Sequence, residues 1–155
     1  MEFTVTPKEE CVIVNLIGLI NEDADITFQN LLTLISEYKK IYFNFSQVKS
    51  INSLGVRSWV TFLRMIEAER EIIFQECTPD VIMQINMIPS FLGKALVETF
   101  YVRYVCEVCE KETENLLYVN QLQTKTIPLN PKCDAPDCAM QTEELEEEYF
   151  AFLLR

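Results

Sequence analysis

The stretch that decides the fold runs Ile41-Tyr42-Phe43-Asn44-Phe45-Ser46-Gln47-Val48-Lys49-Ser50-Ile51-Asn52-Ser53-Leu54-Gly55-Val56. Its opening, Ile41 to Phe45, is aromatic or β-branched at every position but Asn44 and suits a short strand. A polar interval follows and ends in Asn52-Ser53, two residue types favoured where helices begin. From Ser53 to about Glu69 the apolar side chains of Val56, Trp59, Val60, Leu63 and Ile66 recur at helical spacing. A strand therefore feeds a helix through a turn that carries a hydroxyl.

Working outward, Phe3 to Thr6 and Cys11 to Leu19 read as two strands. The second is nearly continuous in Val12, Ile13, Val14, Leu16 and Ile17, as in a strand buried on both faces. Ala24, Phe28, Leu31, Leu32 and Ile35 then fall at helical spacing behind Asp23 as N-cap. Downstream, Glu71 to Cys77 is a strand, Thr78-Pro79 opens a short helix with Thr as cap, and Ala95 to Val105 is a last strand. Strands that alternate with helices in this order predict an α/β sandwich, with a mixed, largely parallel sheet flanked by helices.

The quoted stretch resembles the signature of STAS domains, the anti-sigma-factor-antagonist fold also found in sulfate transporters. In that family a buried strand runs into a loop ending in an Asp-Ser-Ser-Gly or similar motif that starts a helix. Phe74 to Pro79 and Val81 to Met87 also look like the family, and the resemblance covers roughly residues 3 to 104. It implies a non-enzymatic, phosphorylation-switched module of signal transduction and transcription regulation. The implied partner is a protein that is both serine kinase and anti-sigma factor, or another signalling protein. Ser53 takes the phosphoacceptor position. Asn52 stands where the family motif has Asp, Leu54 where it has the second Ser, and Asn44 replaces an Asp at the strand end.

Read from its residues alone, Ser53 supports two roles. It can cap or open the helix, a contribution of about 1 kcal/mol for which Asn52 competes. Alternatively, the free N–H groups and partial positive charge of a helix N-terminus would tolerate a phosphate there, placing about two negative charges where a partner sits. On the face opposite the apolar stripe, Leu54, Ser58, Thr61 and Met65 form one line flanked by Arg57 and Arg64. That line suits either a docking surface, including Asn52 at its start, or the ordinary scatter of surface apolar residues.

Composition narrows the classes. A chain of 155 residues with 49% hydrophobic residues and only 3 Gly can fill a core. A net charge of −11 argues against nucleic acid, whose binding depends on clustered cations. The absence of His excludes Ser/His and Cys/His nucleophilic pairs, so no catalytic residues are assigned. The apolar run Cys11 to Ile20, interrupted by Asn15, falls short of the roughly 20 residues that span a bilayer. No secretory pattern opens the chain, and a cytoplasmic protein without membrane partners is expected.

Acidic and basic residues number 13 and 9 through Val105, but 11 and 4 from Cys106 onward. This shift divides the chain into a unit over 1-105 and an extension over 106-155. The extension opens with Cys106-Glu107-Val108-Cys109 and carries Cys133 and Cys138 after 23 intervening residues. Four thiolates so spaced suit one tetrahedral structural Zn2+ in a zinc ribbon. Iron is a second reading, and unlinked thiols or two disulfides a third. A strand over Asn115 to Asn120 is expected between the knuckles, with Ile127 to Pro131 leading into the second.

Cys11 and Cys77 read as small buried hydrophobes. Thr142 to Leu154 reads as an acidic amphipathic helix that packs on the ribbon or on a second chain, giving a homodimer. Two further functional readings stay open at this level. One is a zinc-stabilised assembly subunit in which Ser53 only caps; the other is a small-ligand sensor with Pro89 to Gly93 as pocket rim.

Overall fold

A computed structural model describes residues 1–122, 131, 133, 138–143 and 146–154. Strands β1 (Glu2–Pro7) and β2 (Val12–Ile20) form an antiparallel hairpin, with Phe3 opposite Leu16 and Val5 opposite Val14. The chain then alternates through α1 (Ala24–Ile35), β3 (Lys40–Ile51), α2 (Ser53–Ile66), β4 (Glu71–Gln75), α3 (Pro79–Met87), the four-residue α4 (Pro89–Leu92) and β5 (Leu96–Val97). These strands make one sheet in the order β1-β2-β3-β4-β5, parallel at every pairing except the first. The largely parallel sheet flanked by helices is thus the one expected.

One face of the sheet is sealed by Val12, Val14, Leu16, Ile41, Phe43, Phe45, Ile72 and Phe74, all buried. Trp59 of α2 is the hub above it. Its ring meets Phe43 and Phe45 edge-on at centroid distances of 5.2 and 5.5 Å, and its indole N–H donates to the Phe91 carbonyl at 2.9 Å. Phe28 of α1 stacks on Phe62 of α2 at 4.6 Å, which ties the two helices together. Edge-to-face pairs add about 0.5–1.5 kcal/mol each beyond their buried area. On the other face Ile13, Asn15, Tyr42 and Asn44 are only half-buried. β2 is therefore covered fully on one side, not on both.

Several elements differ from the sequence expectation for identifiable reasons. β3 extends to Ile51 because its polar second half keeps pairing with β2, through register shifts beside Asn15 and Gly18, until Ile20 meets Ile51. Gly18 accommodates this irregularity at φ 89°. Helix α2 ends at Ile66, and its last-turn carbonyl at Leu63 accepts the Glu67 N–H at 2.9 Å. Asp23 and Thr78 occupy the N-cap positions of α1 and α3 but form no side-chain capping bond. At the start of α1, Asn21 holds the turn by accepting the N–H groups of Asp23 and Ala24.

The expected last strand splits. β5 closes the first sheet, whereas β6 (Thr99–Cys106) enters a second sheet of order β7-β6-β8, with β7 spanning Glu112–Tyr118 and β8 Met140–Thr142. β7 begins three residues earlier than expected because Val105 pairs with Glu112, and it ends at Tyr118, where a 3-10 turn over Val119–Gln121 takes over. Among the described residues of the expected C-terminal helix, Glu146–Tyr149 form α5 and Phe150–Leu154 a 3-10 turn, while Thr142 is drawn into β8. These last turns pack on α3 and β6 of the same chain. Phe100 receives Phe152 at 5.0 Å and Phe150 at 5.9 Å, and the Asn86 side-chain amide donates to the carbonyls of Glu148 and Tyr149 at 2.9 Å each. Residues 127–130 of the expected lead into the second knuckle, and Glu144 and Leu145 of the helix, lie outside the described residues. No helix among the described residues is long and apolar enough to cross a membrane.

Candidate docking face and metal centre

Asn52, not Ser53, caps α2. Its backbone is extended, its Oδ1 accepts the Gly55 N–H at 2.8 Å, and its own N–H donates to the Ile20 carbonyl at 3.1 Å. The helix start is thereby pressed against the end of β2, so closely that a Cβ at Gly55 would lie 2.0 Å from the Ile20 oxygen. Ser53 is the first residue of the helix and is exposed. The Asn52 amide nitrogen donates to Glu22 at 3.0 Å, and this bond, followed by one from Glu22's own backbone, holds that carboxyl below its ordinary range.

Asn44 follows the same pattern. Its amide nitrogen donates to Glu76 at 2.9 Å, and its oxygen accepts the N–H and O–H of Ser46 at 2.9 and 2.6 Å. The second Glu76 oxygen takes the Tyr101 hydroxyl at 3.0 Å, and Glu76 adopts a left-handed φ of 49°. Asn44 and Asn52 thus each donate to a glutamate. An Asp at either place would bring two carboxylates together.

Along α2, Leu54 and Met65 are 54% and 61% exposed, while Thr61 turns its hydroxyl back to the Arg57 carbonyl at 2.9 Å. Ser58, expected on this outer line, is only 7% exposed because α1 packs beside it. The outer surface between the two helices is a groove made of two clefts, of about 330 and 250 Å³, that share Asp25, Ser58 and Thr61. Glu22 and Arg57 line one end of it and Met65 the other. Glu22 and Asp25 have no motif that would mark them in the sequence; only the adjacency of α1 and α2 brings them to the groove.

The second constellation lies at the end of β6. Cys106, Cys109, Cys133 and Cys138 bring their sulfurs within 4.8 Å of one another, and Cys109 and Cys133 are 3.4 Å apart. A tetrahedron of zinc–sulfur bonds of about 2.3 Å has sulfur–sulfur edges near 3.8 Å, so the four side chains fit a metal ion. The Cys106-to-Cys109 turn closes with the Glu110 N–H on the Cys106 carbonyl at 2.9 Å, Glu110 taking a left-handed φ of 55°. The backbone N–H groups of Cys109 and Val108 point to the Cys106 sulfur and bring its thiol down to about 6. Burial and the neighbouring sulfurs of Cys109 and Cys106 push Cys133 up to about 12, and the Cys106 sulfur and burial raise Cys138 to about 11. Four thiolates this close repel, and a cation between them removes that conflict.

Cys77 is buried, and burial pushes its thiol strongly up. Cys11, read as buried, is half-exposed just ahead of β2. Leu92 and Gly93, from the loop considered as a ligand rim, line a cleft of about 400 Å³ together with Leu96 and Phe152.

No protein-family model matches the sequence, and no curated protein matches it. Ten chains of solved structure are similar. One is the anti-sigma factor antagonist SpoIIAA in its unphosphorylated form, at a TM-score of 0.47 and 20% identity over 62% of this chain and 87% of that one.

Proposed function

We propose that this protein is a non-enzymatic regulatory module that binds a signalling protein through the N-terminal half and outer face of α2, and that phosphorylation of Ser53 switches the contact off. The observation that carries this reading is the exposed Ser53 hydroxyl at the first position of α2, directly beside the exposed Leu54. Asn52 supplies the cap, so the Ser53 hydroxyl is not needed for that bond. Asn52, Leu54, Arg57, Thr61 and Met65 form the docking surface, with Ser58 as its floor. Tyr149, Phe150 and Phe152 are buried against the chain's own Phe100 and so are not free for the contact of the rival assembly reading, while Leu154 is exposed.

Within the same reading, residues 106-155 form an extension held by a structural Zn2+ on Cys106, Cys109, Cys133 and Cys138. A closed shell of four thiolates supports zinc in a structural role and leaves no position for a reacting water. Bound there, zinc would supply a crosslink between the end of β6 and the segment leading into β8.

Native complexes recovered from the protein's own cells test the switch. Ser53→Ala is expected to retain the partner and Ser53→Asp to lose it; equal recovery removes the switch. Metal analysis of the same material is expected to give one zinc per chain.

A further inference from the structure

The outward seam of α2 reads Leu54, Arg57 and Thr61, in steps of three and four residues, and ends on Arg64 and Met65, three and four residues beyond Thr61, a span of about 16 Å. Leu54, Arg57, Thr61, Arg64 and Met65 are all exposed. Neither arginine forms an ion pair among the described residues, although the chain carries a net charge of −11. Arg64 lies in the last turn, where a cation complements the helix dipole. Arg57 does not: as the fifth residue from the positive end of α2, it gains nothing from the helix itself. Arg57 shares its cleft with Glu22 and Asp25 yet pairs with neither, so two exposed cations without an ion pair among the described residues stand between two exposed apolar side chains.

We infer that this seam docks an acidic amphipathic helix of a partner protein, and that charge on Ser53 releases it by capturing Arg57. The inference rests on the docking reading above and adds the partner's chemistry and the means of release. Apolar residues of the partner helix cover Leu54 and Met65, and its carboxylates meet Arg57 and Arg64. Glu22 and Asp25 on the α1 wall of the groove repel those carboxylates and so fix which flank of the partner faces α2. Ser53 stands four residues before Arg57, the spacing at which helix side chains pair. When Ser53 Oγ takes a phosphoryl group from a nucleoside triphosphate, giving up its proton and leaving the diphosphate, the new dianion reaches Arg57 from within the same helix. The partner then loses one cation and meets added like charge.

The test uses the full chain loaded with zinc and two labelled synthetic helices of about five turns. Both have the same Leu/Met seam, flanked by Glu in one and by Lys in the other, and binding is read by fluorescence anisotropy. The Glu helix is expected to bind more tightly than the Lys helix. Arg57→Ala and Arg64→Ala should each weaken it about threefold to fivefold, the range of an exposed charge pair. Ser53→Asp should weaken it comparably in the wild-type background and by a smaller factor in Arg57→Ala, where no cation is left to capture and only the repulsion by the added charge remains. Preference for the Lys helix, binding indifferent to both arginines, or full additivity of Ser53→Asp with Arg57→Ala overturns the inference. So does Arg57-dependent self-association of the chain, which would make a second copy the occupant. Should the native complex respond to Ser53→Asp while the Glu helix does not bind, the acidic-helix chemistry fails and the regulated contact stands. The converse result would leave the docking chemistry standing and remove the switch.

Discussion

Asn52 donates its side-chain amide to Glu22 at 3.0 Å, joining the start of α2 to the turn that precedes α1. The bond gives the amide at position 52 a task that a carboxylate could not perform. Asn52→Asp is expected to keep the capping bond to Gly55, lose the bond to Glu22 and set two carboxylates side by side. Glu22 would then titrate higher than in the wild type, and Glu22→Gln would reverse the loss of stability. Carboxyl chemical shifts followed against pH, with denaturant melts of both single variants and the double variant, check this.

Asn52→Ala removes the cap itself. A loss of about 1 kcal/mol is expected, or about 3 °C in Tm for a chain of this size. Ser53→Ala, which leaves the cap intact, should change Tm little. If the two variants prove equally destabilised, the capping role assigned to Asn52 is wrong.

Gly55→Ala forces a methyl group against the Ile20 carbonyl, with only 2.0 Å available. Because both sides of that contact are backbone, the helix start must move away from β2, at a cost of about 1–3 kcal/mol. Urea unfolding should register the loss, and amide exchange at Asn52 and Val56 should rise ahead of that in β4.

Zinc uptake by metal-free protein at pH 7 is expected to release at least two protons per ion. Cys133 and Cys138, held at about 12 and 11, are protonated there and must ionise to bind. Protons compete with the metal, so affinity falls as pH drops. Calorimetry in two buffers of different ionisation enthalpy counts the protons, and a value near zero would contradict the assigned ligands.

Removing the metal, or replacing Cys138 by Ser, should loosen β8 while sparing the first sheet. Only three residues of β8 pair with β6, at Tyr104, Val105 and Cys106, whereas β2 and β3 pair over most of their length. Hydrogen exchange is expected to rise at Met140–Thr142 and to stay unchanged in β2.

The order of elements through β5 and the sheet type were legible in the sequence because burial leaves a period. Val12, Val14 and Leu16 repeat every second residue, Phe28, Leu31 and Ile35 every third or fourth, and each period belongs to one kind of backbone. The cysteine quartet was legible for a similar reason, since a short knuckle brings two sulfurs together through local geometry alone. Tertiary structure decided what no local pattern encodes. Thr142 pairs as a strand because Tyr104 lies opposite it, and Ser58 is buried because α1 packs beside it. Asn44 and Asn52 find Glu76 and Glu22 only once the chain has brought together residues some thirty positions apart. Packing and hydrogen bonds act between neighbours in space, and a sequence records only neighbours along the chain.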